Sequence, residues 1–556
     1  MRKQNWGFVL AIWGLLLACL PAFAQNIPSS VEPSRIRGQM TPLQAPLQPA
    51  EPPTVEKAPP VAAPEGAAEI KFKLTSLHIE GMTAYAAEDL APLYQDMIGK
   101  TITLTDIFAL AEKLTARYRN DGYILAQTVV PPQTIDSGEV VLQIVEGFID
   151  QVAVQNKDGA ADTAFIARMA DGIKAARPLN IRVLERVLLL LNDLPGVSAQ
   201  AVLSAAPKTP GASDLTLIIT QKKRDLFFQA DNRGSRYLGP LQVNAGAGFN
   251  NAFGGHERLD VQTVFSPASA VQNASVAYSR HYGTSGSKFS LGAGYTSTRP
   301  GFTLSPFDIH GTARTLNLAL SLPIDRSRSR NTSVTAKFDW LDSERSGDLG
   351  LGGTEDRLRV ARFGGVCQIA DSGGGSNAFS IEASKGLSLL NASDKGDAGM
   401  TRAAGDPQFF KVSFEASRLQ KLAGPFDLLL TTIGQISADT LPASEEFGVG
   451  GAAFGGAYDA SEITGEDGIA ARLELRMNTQ QPWQPYGFYD IGMVRDQDNA
   501  VPRERRRSLA SAGMGVRFAV NDNISGTVEA ACPLTRDVET LGDKSLRLFA
   551  SLTMRF

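Results

Sequence analysis

Four histidines, three cysteines and a scatter of turn serines are the residues of this 556-residue chain that could do covalent or metal chemistry. His78, His256, His281 and His310 show no metal-ligand spacing. Gly283-Thr284-Ser285-Gly286-Ser287 approaches the Gly-x-Ser-x-Gly elbow of a serine hydrolase but carries serine in place of the last glycine. A membrane-embedded hydrolase pairing His281 with Ser279 or Ser285 is outweighed by the plainer account, a loop histidine beside a turn serine. Gly448-Val449-Gly450-Gly451 lacks the Lys-Ser/Thr that holds phosphate and metal, so glycine in a strand and turn is expected there. No catalytic, cofactor or metal site is expected, and none of these residues argues for an enzyme. The carboxylate that stands out is Asp490, set among Tyr486, Phe488 and Tyr489. In a membrane-crossing strand a lipid-facing carboxylate is costly, so Asp490 is expected to face inward.

That condition is met by the pattern around it. From Ser545 to Phe556 the chain alternates: Leu546, Leu548, Ala550, Leu552, Met554 and Phe556 on one face, Ser545, Arg547, Phe549, Ser551, Thr553 and Arg555 on the other. Period two over this length gives a strand of the roughly 9–11 residues that cross a bilayer, with Phe556 as a C-terminal barrel signal. A terminal strand of this kind leaves an open edge unless it pairs with the first strand of a closed barrel. From Arg224 onward helix signals vanish and alternating segments recur, among them Leu226–Ala230, Ser275–Arg280, Leu316–Leu322, Ser333–Trp340, Phe379–Ala383, Ala471–Met477, Gly513–Phe518 and Ile524–Ala530. At about 20 residues per strand and connection, residues 224–556 predict an all-β transmembrane barrel of about 16 antiparallel strands, wide enough for a lumen. Charged residues are 20% and the formal net charge is −4, without the basic field that nucleic acid requires.

The N-terminal part reads differently. Residues 1–24 form a secretory signal, with Arg2 and Lys3, an apolar run from Phe8 to Leu20, and Ala22-Phe23-Ala24 predicting cleavage after Ala24. Leu16-Leu17-Ala18-Cys19 leaves lipoprotein processing at Cys19 as an alternative. The remaining Cys367 and Cys532 are expected as unpaired strand residues, a single bridge staying open. Residues 25–69 are rich in Pro and Ala and predict an extended tether with a short helix over Ser34 to Met40. Residues 70–149 predict strand Phe72–Ile79, a helix over Ala87–Met97, a helix capped by Thr105 with Ile107, Leu110, Ala111, Leu114 and Tyr118 on one stripe and Gly122 as its stop, then strands Tyr123–Val130 and Val140–Val145. Residues 150–223 repeat the order: strand Val152–Val154, helix Ala164–Ala175 capped by Asp162, helix Val183–Leu191 capped by Asn180, strands Ala199–Ala205 and Leu215–Thr220.

With these elements in place the chain resembles the outer-membrane transporters of two-partner secretion, the haemolysin-activator and filamentous-haemagglutinin transporter family. Gly122-Tyr123-Ile124-Leu125-Ala126, Val130-Pro131-Pro132-Gln133 and Val145-Glu146-Gly147 resemble the family's first POTRA domain, and Leu191-Asn192-Asp193-Leu194-Pro195-Gly196-Val197 its second. Asp231-Asn232-Arg233-Gly234-Ser235 is similar to the first barrel strand and turn, and Pro323 to Arg328 with Asn331 to another family segment. Phe454 to Gly468 resembles a loop that folds back into the lumen, and Phe488-Tyr489-Asp490 the wall motif that receives it.

The resemblance implies lumen-loop roles for Phe454, Gly455, Gly456, Tyr458 and Asp459, and wall roles for Phe488 and Asp490. It also implies no cofactor, residence in the outer membrane of a Gram-negative bacterium in contact with its lipid, and periplasmic POTRA domains. These domains would bind an unfolded partner, a large adhesin- or haemolysin-type exoprotein with an N-terminal secretion domain, for passage through the barrel without ATP. The second strand of the first unit and the helix region 183–191 are the expected docking surfaces, against plain core packing for Leu184, Val187, Leu188 and Leu191. A barrel-assembly factor is the alternative. One departure stands out: where the family's loop carries arginine this chain has Gly456, followed by Ala457. Either Arg472 or Arg476 then meets Asp490, or the loop is held less firmly.

Overall fold

The computed structural model describes residues 28–36, 63–135, 137–157, 163–267, 270–347, 353–498 and 504–556. The expected signal, Ala24, Cys19, most of the tether and Asp162 lie outside these residues. Of the helix expected over Ser34 to Met40 only the start can be compared; Ser29–Val31 and Pro33–Arg35 form short 3-10 turns.

Two small α+β units follow. In the first, Ser76–Glu80 runs parallel to Glu139–Val145, which pairs antiparallel with Gln127–Val129. The helix Leu104–Asn120 covers this sheet with Ile107, Leu110, Ala111, Leu114 and Tyr118 all buried, as its stripe predicts. Its cap is Thr103, not Thr105. The Thr103 hydroxyl accepts from the Asp106 N–H at 3.3 Å and the Asp106 carboxylate accepts from the Thr103 N–H at 2.8 Å, a capping box that the Thr-x-x-Asp spacing already carried. The helix expected over Ala87–Met97 stops at Leu90 and continues as two 3-10 turns, because Pro92 cannot donate to a helical ladder. The strand expected over Tyr123–Val130 shrinks to Gln127–Val129. Tyr123 instead packs edge-on against Tyr85 and Tyr118, and Leu125 packs against the core of the second unit.

The second unit sets Phe148–Asn156 parallel to Ala212–Gln221 and Val197–Ala205 antiparallel to it. Helices Thr163–Ala175 and Ile181–Asn192 cover the sheet, the latter capped by Asn180 as expected. Leu184, Val187 and Leu191 are buried in that core and Leu188 packs against it, so these four side chains are spent on packing.

Residues 224–556 close into a barrel of sixteen strands, each antiparallel to its sequence neighbour, with the last, Arg547–Arg555, paired to the first, Arg224–Asp231. Among the described residues no helix is long and apolar enough to cross a membrane; the crossing is made by strands. Along Trp483–Arg495, Tyr489, Ile491 and Met493 are exposed to lipid while Tyr486, Phe488 and Asp490 are buried toward the lumen. Phe549 departs from the simple alternation: it is buried on the luminal face, stacked beneath the guanidinium groups of Arg233 and Arg547. Cys367 and Cys532 are free thiols on strands, with no bridge.

The second unit is seated on the periplasmic turns of the barrel. Arg326 holds Asp193 in a bidentate pair at 2.8 and 2.7 Å and also donates to Asn331 at 2.6 Å. Arg328 meets Glu185 of helix Ile181–Asn192 at 2.9 Å. Phe165 packs on His256, ring centroids 4.7 Å apart. The segment Pro323 to Arg328 with Asn331 is thus the mount on which the second unit sits.

Candidate functional site in the barrel lumen

Between barrel strands Phe426–Ser437 and Asp467–Met477 the chain runs into the lumen as residues 438–466, wider than the 454–468 expected; 467 and 468 belong to the wall strand. Inside, Phe447–Val449 and Ile463–Gly465 pair as a two-stranded ribbon. Phe447, Val449, Phe454, Tyr458 and Ile463 bury themselves against Val494, Leu509 and Val538 of wall and outer loop. The Gly448-Val449-Gly450-Gly451 stretch makes one strand of this ribbon and its turn, with Gly450 and Gly451 at φ +126° and +96°.

The loop tip meets the wall mainly through its backbone. The Gly456 N–H donates to Asp490 Oδ2 at 2.7 Å, and Ser511 Oγ donates to the same oxygen at 3.1 Å. Arg233 donates to the Gly456 carbonyl at 3.2 Å, Arg547 to the Ala457 carbonyl at 3.0 Å, and Arg472 to the carbonyls of Ala452 and Ala453, the latter at 3.2 Å. Three wall arginines therefore hold four loop carbonyls, each contact strengthened by the donor's charge. Arg472 also lies 3.4 Å from Asp490 Oδ1 and 4.0 Å over the Phe488 ring. Arg476 is engaged elsewhere, with Glu474 at 2.6 Å. Of the two replacements expected for the missing loop arginine, Arg472 is the one beside Asp490.

Gly456 gains a reason from the same geometry. A Cβ on it would sit 3.0 Å from two carbons of the Phe488 ring and 3.3 Å from Asp490 Oδ2. Glycine lets the loop backbone lie directly on the wall, while the guanidinium reaches the ring from the wall side. Gly455 sits in the left-handed region at φ +82°. Tyr458 is buried with its hydroxyl 3.2 Å from the Ala510 carbonyl and 3.1 Å from that of Arg536. Asp459 pairs with Arg547 at 2.8 Å and accepts from Thr540 at 2.6 Å. Glu462 is pushed up to about 7 by burial, reinforced by neighbouring Asp459 and Glu539, and accepts the Glu539 N–H at 2.6 Å.

The structure thus brings Phe454, Gly455, Gly456, Tyr458, Asp459, Phe488 and Asp490 to one luminal cluster, and leaves Phe556 apart at the periplasmic end of the seam. Sequence reasoning missed Arg233, Arg547, Ser511, Tyr486 and Glu529. Arg233 lies two residues beyond its strand, where alternation says nothing, and joins the cluster through Glu529 at 2.5 Å. Arg547 was legible in principle, standing on the face opposite Leu548.

A second piece of chain shares the lumen. Glu32 of the N-terminal segment pairs with Arg345 of the wall at 3.2 Å. Arg35 donates to the carbonyls of Ala443 and Glu446 at 2.7 and 3.1 Å, and Ser29 lies 3.2 Å from Thr464 across the ribbon.

A sixteen-stranded barrel with α+β units at its periplasmic mouth and a folded-back loop in its lumen is the setting for the comparisons. The family model described as haemolysin secretion/activation protein ShlB/FhaC/HecB matches residues 211–518, more than half of the chain, and a ShlB-type POTRA domain matches 72–147. The chain belongs to this haemolysin secretion/activation family. The heme/hemopexin transporter HuxB of Haemophilus influenzae is 24% identical over 485 residues, covering 85% of each chain. The outer membrane transporter CdiB of Dickeya dadantii is 24% identical over 433 residues, 74% of this chain and 73% of its own. The solved CdiB of Escherichia coli superposes with a TM-score of 0.70 at 18% identity over the whole of both chains, which speaks for the fold. The family is one of outer-membrane transporters with periplasmic POTRA domains rather than of enzymes, and this chain is an outer-membrane translocator of a partner exoprotein.

Proposed function

We propose that this transporter takes up one large unfolded exoprotein at its POTRA units and passes it through the barrel without ATP. The observation that carries the reading is that the lumen is filled by two pieces of the chain's own backbone, residues 29–36 and 438–466, which no barrel strand needs for closure. Elements that fill a pore without building its wall can leave it. The lumen loop (Phe454, Gly455, Gly456, Tyr458 and Asp459 against Phe488 and Asp490) would then be the part that moves or guides during passage. A POTRA sheet edge can add an extended segment as a further strand, a recognition that reads backbone more than sequence. The glycine stretch that might suggest a nucleotide loop is built into the lumen ribbon, and the periplasm offers no ATP, so folding of the exoprotein outside is the drive.

The test is proteomics of culture supernatant and outer membrane from a deletion strain beside its parent. Loss of one very large supernatant protein, with outer-membrane proteins unchanged, is expected. Broad depletion of outer-membrane barrels would overturn the reading in favour of an assembly factor.

A further inference from the structure

The lipid-facing band of the barrel wall ends in charge at its outer rim. Along Trp483–Arg495 the exposed parity carries Trp483, Tyr489, Ile491 and Met493 and then Arg495. In a tilted strand the stretch from Trp483 to Met493 rises roughly 25 Å, the height of the apolar band, so Arg495 stands at the head groups of the outer leaflet. Strand alternation from Arg224, which follows the second POTRA unit, puts Arg506 at the same rim.

Three charges lie side by side there. Asp467 is in register with Arg495, and Arg495 with Arg506. All three share the outward parity of Ile469, Met493 and Met514. Like charges directly opposite on an antiparallel pair repel, because their Cβ atoms are only about 5 Å apart. The neighbouring carboxylate is already shared: Asp467 accepts the Ser437 N–H at 2.9 Å and the Gln497 amide at 3.2 Å, and pairs with Arg495 at 3.0 Å. Arg506 is exposed, and among the described residues it has no ion pair and no side-chain hydrogen bond, with Glu504 nearby included.

Elsewhere on the rim such rows alternate in sign. On the outward parity of Leu316 and Leu318, Arg314 stands opposite Asp342 and Asp342 opposite Arg357, with Arg359 on Asp342 at 2.8 Å. The acidic pair Glu344 and Glu355 of the same strands is met by Arg357 at 3.5 Å. The row of Asp467, Arg495 and Arg506 keeps one positive charge in excess.

We propose that Arg495 and Arg506 form a binding site for the phosphate of an outer-leaflet glycolipid, a phosphorylated diglucosamine of the lipid A type. The planar fork of a guanidinium matches phosphate with two parallel N–H···O bonds. A phosphate monoester near neutral pH carries about −1.5 to −2 charges, so it serves both forks and turns their repulsion into attraction. The site opens on the side where lipid stands, directly above the apolar face of Ile469, Ile491, Met493 and Met514, which receives the acyl chains; this favours a lipid-borne phosphate over a free one. The two strands so bridged, Trp483–Arg495 and Arg506–Ala519, carry Asp490 and Ser511, which meet each other at 3.1 Å under the lumen loop. A head group bound across their outer ends braces the part of the wall on which that loop rests.

The test uses the full-length transporter purified in a nonionic detergent, with bisphosphorylated lipid A as the probe and native mass spectrometry to count retained lipid. Arg506→Gln and Arg495→Gln are each expected to weaken lipid A binding about tenfold with the barrel still heat-modifiable. Arg314→Gln, whose residue already faces Asp342, is expected to bind as the parent does. A phosphate-free glycolipid of the same acyl content is expected to show no difference among these proteins.

Parental binding of lipid A by both Arg495→Gln and Arg506→Gln overturns the proposal. An equal loss in Arg314→Gln overturns it as well, because the effect would then belong to rim charge at large. Inorganic phosphate binding to the parent as tightly as lipid A would assign the pair to a free anion and overturn the lipid site. Should Arg506→Gln fail to give a closed barrel, Arg495→Gln decides alone by the same readings.

Discussion

At the scale of single residues, the contact between lumen loop and wall is an exchange of roles between Gly456 and Arg472. The wall supplies the guanidinium, and the loop supplies bare backbone that can approach the Phe488 ring. Gly456→Arg alone therefore places a side chain where the ring already stands at 3.0 Å and a charge where Arg472 already sits. It is expected to loosen the loop, with a higher single-channel conductance in planar bilayers. Pairing it with Arg472→Gly returns one guanidinium to the ring, and the double variant is expected to lie closer to the parent than either single, a coupling of about 1–3 kcal/mol in heat-modifiability. Strict additivity of the two changes would refute the exchange. Asp490→Ala leaves the Gly456 N–H and the Ser511 hydroxyl short of their acceptor in a buried site and removes the charge beside Arg472, a loss of about 1–3 kcal/mol.

At the scale of elements, the lumen ribbon depends on carboxylates buried with it. Glu462 holds its proton up to about pH 7 in the docked loop, against an ordinary value of 4.5. A carboxylate raised in the docked state favours docking while it is protonated. Docking is therefore strongest toward pH 4.5 and weakens as pH rises through about 7. Channel opening should increase across that window, and Glu462→Gln should flatten the profile; a profile unchanged by the substitution would exclude Glu462 as its source. Replacing 450–462 by a short Gly-Ser link, which spares the wall residues 467 and 468, is expected to abolish secretion while the barrel still closes.

The elements differ in how far the sequence foretells them. Period two exposed the barrel, because lipid and lumen impose alternation on every crossing, and the length of residues 224–556 at about 20 residues per strand and connection gave its strand number. The 3.6-residue stripe exposed the helix Leu104–Asn120, whereas its cap was misplaced by two residues although Thr103 and Asp106 carried the capping-box spacing. The lumen cluster was legible only in part. Asp490 had to face inward on cost alone, but Arg233 and Glu529 come together across the barrel seam, where the pairing of distant strands, not local spacing, decides contact.

At the scale of the whole molecule, the second POTRA unit is mounted rather than tethered. Arg326 takes Asp193 with both arms of its guanidinium, and Arg328 takes Glu185 on the helix beside it. The pairs are partly exposed, so each adds about 1 kcal/mol or less to stability; their effect is on orientation. Arg326→Asp is expected to lower secretion several-fold without unfolding the barrel, and its combination with Asp193→Arg to recover most of it. Failure of the swap to recover, with both proteins folded, would mean that this pair does not set the angle of the unit.

The barrel's seam has a consequence for the order in which the protein is made. The first and last strands share five register pairs, from Ser551 with Asp231 to Arg555 with Phe227, and Asn232 adds its carboxamide to Ala550 across 318 residues of chain. Closing so long a loop carries the largest entropy cost of any strand pairing here, and nothing repays it until every intervening hairpin stands. The seam is therefore expected to close last, and a side chain that stitches two backbone groups where the strand has ended adds cohesion at that closing edge.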